Sequence, residues 1–284
     1  MHSEFIRDTG EKILQSTLQF YNLDLHGDGK PFASGLLLEI DSKFFAITAA
    51  HVIAEEYNSI YIHLDTEVTL SGKLFFSGLP LSGDRHDDKI DIGVLQIMDM
   101  ALVDRIKNSF RFLTIDDLLL NHKPRLQAQY LSVGFPVNKT ILRRTEDGNL
   151  FKAYANPYKT IELINYNFEK RGFNSLYNKA FAYDGKIVSD QIKEAHQSGS
   201  KKGISGSGLW TLDNNSKKDH GKLIGVVIEI VESTDPAMIV TTIDLIIEVM
   251  RQKFDLNIAK SNSINVNLES HDQSNISGVK HEEN

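Results

Sequence analysis

Between residues 34 and 97 the chain is a succession of short apolar runs, SGLLLEI, KFFAITAA, SIYIHL, EVTLSGKLFFSG and KIDIGVLQI, separated by turn formers. Short runs rich in β-branched and aromatic residues, bounded by Gly, Asp, Asn and Ser, read as strands, and several at this spacing imply a barrel or a sandwich. A partly helical connection at 100–122 is followed by RLQAQYLSVGFP, and strand patterns return at SGLWTL, KLIGVVIEIV and AMIVTTI. Two helices are expected at the ends. Residues 4–21 place Ile6, Ile13, Leu14, Leu18 and Tyr21 at helical spacing, and Ile243, Ile246, Ile247, Met250 and Phe254 form one face of a closing helix. The middle region 137–198 carries mixed signals, and residues 257–284, rich in Asn, Ser, Glu and His, read as a disordered tail.

Composition narrows the function. The formal charge of −7, from 38 acidic and 31 basic residues, gives no overall attraction to nucleic acid or anionic lipid, so neither is an expected partner. The absence of cysteine removes disulfides and thiolate chemistry and fits a reducing compartment. The polar start MHSEFIRDTGEK is unlike a secretory signal, and there is no run of about 18 apolar residues, so a cytoplasmic location is expected.

Hydrolysis of an acyl bond without metal or thiol needs a hydroxyl nucleophile, a base, a carboxylate that orients the base, and backbone donors for the oxyanion. His51 ends the apolar run AITAAHVI. Asp91 interrupts KIDIGVLQI among residues that look buried, and a buried carboxylate is costly unless it is paired, for example with an imidazole N–H. Ser205 lies in KKGISGSGLW between Gly203 and Gly206, glycines that permit a tight turn and let amides converge. The loop acids Asp84, Asp87 and Asp88 read as a solvated stretch. A metal site from His86, Asp87 and Asp88 is disfavoured, because consecutive residues on a polar loop rarely converge on one ion. The glycine stretch is not a P-loop, since Lys201 and Lys202 precede the glycines and a strand follows.

Taken together, TAAHV at 48–52, IDIGVL at 90–95 and GISGSG at 203–208 resemble the histidine, aspartate and nucleophile motifs of the trypsin-like serine peptidases. FASGLLL at 32–38, YLSVGFP at 130–136 and KLIGVVIEI at 222–230 extend the resemblance over about residues 30–250. It implies two six-stranded antiparallel Greek-key β-barrels, flanked by an N-terminal and a C-terminal helix. The divisions are 1–29 (helix and linker), 30–120 (first barrel), 121–255 (second barrel and closing helix) and 256–284 (tail). It also implies a serine endopeptidase with His51 as base, Asp91 as its orienter, Ser205 as nucleophile and the amides of Gly203 and Ser205 as the oxyanion hole.

Ala33, Gly93 and Gly208 stand where the family often has glycine, alanine and proline, and Ser207 lacks a glycine two positions earlier. The base of the specificity pocket falls near Gly199, with Ser198 and Ser200 beside it and no acid, which implies apolar or small residues before the scissile bond. Val227, Ile228 and Glu229 are expected to line the substrate groove. No Ile-Val-Gly-Gly-like activation segment occurs before residue 30, so activation is expected to come from folding, from an activating protein partner, or from movement of the helix at 4–21 or the region 137–200. The substrate class is protein or peptide, and no cofactor or metal is called for. A catalytically idle binding module of the same fold and an esterase with the same triad are the rival readings.

Overall fold

A computed structural model of the chain describes residues 9–23, 29–56, 60–64, 66–78, 82–125, 128–137, 140–145, 148–153, 155–183, 203–212, 221–232, 235–258 and 279–280. The first sheet is built from β1 (Thr17–Leu23), β2 (Gly29–Ile40), β3 (Lys43–Ala49), β4 (Tyr61–His63), β5 (Glu67–Thr69), β6 (Gly72–Phe76) and β7 (Ile92–Ile97). Its order is β6-β7-β3-β2-β1-β4-β5, and the two-residue strand Val279–Lys280 lies against β6. The second sheet contains β8 (Gln129–Gly134), β11 (Asn156–Ile161), β12 (Asn178–Ala182), β13 (Gly208–Thr211), β14 (Leu223–Val231) and β15 (Ala237–Thr242), in the order β11-β8-β13-β14-β15-β12. A bridge between Glu162 and Phe181 brings its two edges together. Strands β9 (Thr140–Thr145) and β10 (Gly148–Ala153) form a separate hairpin.

Local chemistry accounts for these elements. The β2–β3 hairpin turns at Asp41-Ser42, both at positive φ (52° and 57°), the geometry that suits the right-handed twist of the flanking strands. Helix α2 (Ala50–Glu56) begins where β3 ends, and α3 (Met100–Ser109) is capped by Asp99, whose carboxylate accepts the amides of Ala101 and Leu102. On the closing helix α4 (Ile243–Lys253) the expected apolar residues Ile243, Ile246, Ile247 and Met250, with Phe254 just beyond, are all buried in a cluster that also takes in Leu36 and Leu38 of the first sheet and Leu131 and Trp210 of the second. The ammonium groups of Lys43 and Lys73 donate to the carbonyls of Phe254, Asp255 and Lys253 at its end, where a helix leaves acceptors unfilled.

The N-terminal helix is shorter than its spacing suggests. Within the described segment 9–23 only residues 9–14 are helical (α1), and Thr17–Leu23 is a strand paired with β2. The hydroxyls of Ser16 and Thr17 bond back to the Ile13 carbonyl and close the helix, after which Thr17, Phe20 and Tyr21 favour an extended chain buried on both faces. Leu18 and Tyr21 fit a helical period by coincidence. The first sheet accordingly has seven strands where six were expected. Most of the expected tail lies outside the described residues. Among the described residues no helix is long and apolar enough to cross a membrane.

Asp117 ties the connection after α3 to α1. Its buried carboxylate accepts two bonds from Arg111 at 2.8 Å and one from the Thr114 amide, with Lys12 at 3.4 Å. Burial alone would raise this carboxyl, but the Thr114 amide and the charges of Arg111 and Lys12 outweigh it and hold the group below its ordinary value. The associated stabilisation is therefore present above the unfolded carboxyl's ordinary value and is lost as the pH falls through the folded one. Asp117→Ala is expected to cost about 2 kcal/mol in urea unfolding at neutral pH, with the difference from the native chain closing in strong acid.

Candidate active site

His51 is the second residue of α2, delivered by β3, which crosses the middle of the first sheet. Asp91 immediately precedes β7, the neighbour of β3, so the register of that pair brings the two together. Asp91 is 5% exposed, and its carboxylate accepts the His51 main-chain N–H at 2.8 Å through Oδ1 and lies 2.6 Å from the His51 ring Nδ1 through Oδ2. With Nδ1 engaged by the acid, Nε2 is the nitrogen left to exchange a proton.

Ser205 reaches the same junction from the second sheet. Its turn is fastened by Ser34 of β2, which is fully buried. The Ser34 amide donates to the Ser205 carbonyl at 3.0 Å, its hydroxyl donates to the Gly203 carbonyl at 2.7 Å and accepts the Phe135 amide, and its carbonyl accepts the Thr48 hydroxyl at 2.8 Å. The Ser205 turn is thereby connected to β3 three residues before His51. Gly203 and Gly206 have φ of 97° and 86°, a region that L-residues rarely adopt. Among the described residues no protein acceptor is found for the amides of Gly203 and Ser205. Ser207 differs from Ser205: it is fully buried, with its hydroxyl 3.0 Å from that of Ser132, whereas Ser205 is half-buried.

Packing accounts for the glycines at 93, 206 and 208. A Cβ on Gly93 would lie 2.5 Å from the Ile53 side chain, and one on Gly208 would lie 2.7 Å from the Trp210 indole nitrogen. At Gly206 a Cβ would fall 1.9 Å from the Ser34 carbonyl oxygen, a backbone atom that cannot rotate away. Gly206→Ala is expected to cost about 3 kcal/mol through overpacking and an unfavourable φ, read by urea unfolding, and to slow any reaction at Ser205.

The loop acids divide in two. Asp84 and Asp87 are exposed, but Asp88 turns inward, accepting the Ser77 hydroxyl, Arg85 at 3.2 Å and the Ile90 amide at 3.0 Å. Burial pushes its carboxyl above the ordinary value, opposed by the Ser77 hydroxyl and the amides of Asp91 and Ile90. The His86 side chain lies outside the described residues. Of the substrate-groove candidates, Gly199 is also outside them. Val227 and Ile228 are buried, and the Val227 amide and carbonyl are bonded to Ser207 and Gly206. Glu229 alone presents an exposed side chain, 3.7 Å from Lys89.

No protein-family model and no curated protein matches the chain. Solved structures do. The VesB protease of Vibrio cholerae superposes with a TM-score of 0.51 at 13% identity, covering 86% of this chain and 66% of that one. The Rv3671c protease of M. tuberculosis in its active form gives 0.44 at 15% identity, covering 91% and 88%, and the tobacco vein mottling virus protease gives 0.42 at 11%, covering 82% and 79%. With its two curled antiparallel sheets, the chain has the double β-barrel fold of the trypsin/chymotrypsin type.

Proposed function

We propose that the chain is a serine endopeptidase in which Ser205, His51 and Asp91 act as nucleophile, general base and orienting carboxylate. The observation that carries this reading is the buried Asp91 carboxylate bonded to both the main chain and the ring of His51. In this scheme Ser205 Oγ attacks the scissile carbonyl while His51 Nε2 takes its proton. The oxyanion is received by the amides of Gly203 and Ser205, and His51 then returns the proton to the leaving amine. Water repeats the sequence on the acyl-enzyme.

A peptide is the favoured acyl donor. Beyond Val227, whose main chain bonds to Gly206 and Ser207, β14 has among the described residues only β15 beside it, so its main chain from Ile228 onward can pair with an extended substrate by strand addition. The test is joint: a fluorescent fluorophosphonate for the nucleophile, and an unfolded protein beside small esters for the substrate. Labelling with ester but no peptide cleavage supports the esterase alternative, and no reaction at all supports the idle binding module.

A further inference from the structure

Asp91 has φ of 47°, which an L-residue other than glycine seldom adopts, and the peptide planes around it are held at both ends. In the Lys89–Ile90 plane the amide donates to Asp88 at 3.0 Å and the carbonyl accepts Asn178 Nδ2 at 2.9 Å. In the Ile90–Asp91 plane the amide again bonds to Asp88, and the carbonyl accepts the Thr241 hydroxyl at 2.6 Å. In the Asp91–Ile92 plane the amide donates to the Ser77 hydroxyl at 2.9 Å and the carbonyl accepts the Ala50 amide at 3.0 Å.

The amide ends of the first two planes are held from within the first barrel by Asp88. Their carbonyl ends are held from the second barrel: Asn178 begins β12, Thr241 lies in β15, and both are essentially inaccessible to solvent, with Asn178 Nδ2 also 3.4 Å from the Thr241 hydroxyl. Fixing both ends of the Ile90–Asp91 plane fixes the direction from which the Asp91 side chain leaves the backbone. We propose that Thr241 and Asn178 are positioning residues that hold Asp91 in register with His51, so that the orienting carboxylate is correctly placed only while the two barrels are docked. The proposal rests on the triad reading given above. It makes the barrel interface a control point, since a partner that shifts one barrel against the other acts on Asp91 without touching the nucleophile. Lys89, adjacent to the clamped planes, extends the same link to Glu229 at the groove.

The experiment compares Thr241→Val, which keeps the shape and removes the hydroxyl, with Thr241→Ser, which keeps the hydroxyl. It measures kcat and KM on a peptide substrate, and the far-downfield proton resonance of the His51 ring N–H facing Asp91. A displacement of about 1 Å at a catalytic group can cost on the order of 100-fold. Thr241→Val is therefore expected to lower kcat by roughly 10- to 100-fold with little change in KM, and to shift or broaden the resonance, while Thr241→Ser restores both. A folded Thr241→Val protein with native kcat and an unchanged resonance overturns the proposal. If the native chain neither turns over nor labels, the peptidase reading fails, and the resonance, which needs no turnover, still decides this one. Should Thr241→Val not fold, Asn178→Asp removes the donor to Lys89 at nearly constant shape and is read in the same way.

Discussion

Replacing Ser205 with alanine is expected to abolish labelling by a fluorophosphonate and to lower cleavage of an unfolded protein by about 10⁶-fold, the usual cost of removing a triad nucleophile. Oγ is the only group lost, because the turn is held by the main chain of residues 203–206 and by Ser34, which the substitution leaves in place. The native fold and melting behaviour should persist, and circular dichroism with a thermal scan checks this. Ser207→Ala is the matched control. Its hydroxyl is buried against Ser132, so about 1 kcal/mol of stability should be lost while labelling survives. Equal labelling of the native and Ser205→Ala proteins would place the nucleophile elsewhere.

Asp91→Asn should lower kcat on the order of 10⁴-fold, roughly 5.5 kcal/mol of transition-state stabilisation, with KM nearly unchanged. The carboxylate accepts twice, from the His51 main-chain N–H and at the His51 ring Nδ1. An amide can accept only at its oxygen. With that oxygen on the main-chain N–H, its NH₂ faces Nδ1 and selects the tautomer carrying the proton on Nε2, the nitrogen that must accept from Ser205. Steady-state kinetics at neutral pH measure the loss. A fall of less than about 10-fold would mean that Asp91 serves the fold and not the base.

The strand runs of the first barrel were legible because their apolar period is local, and β3, β6 and β7 appear where KFFAITAA, EVTLSGKLFFSG and KIDIGVLQI stand. The burial of Asp91 was legible for the same reason: its neighbours Ile92 and Val94 are core residues, and a charge among them requires a partner. The strand β1 was not, since Leu18 and Tyr21 satisfy a helical spacing and only pairing with β2 decides between the two conformations. Asp88 read as one more acid in a polar loop, and nothing in DRHDDK distinguishes it from Asp87 until Ser77 and Arg85 are folded over it.

The sequence by itself determined the strand-rich class, the glycine turn around Ser205 and the chemical candidates His51, Asp91 and Ser205, because each depends on residue type and on neighbours a few positions away. Tertiary structure alone decided that Ser34 fastens the turn around Ser205 and that Thr241 and Asn178 bond to the chain before Asp91. Those hydroxyls and amides are ordinary polar residues in strands, and the carbonyls they serve lie 169, 151 and 89 positions away in the sequence. A hydrogen bond between such distant positions leaves no periodic trace, and it exists only once the two barrels have closed on each other.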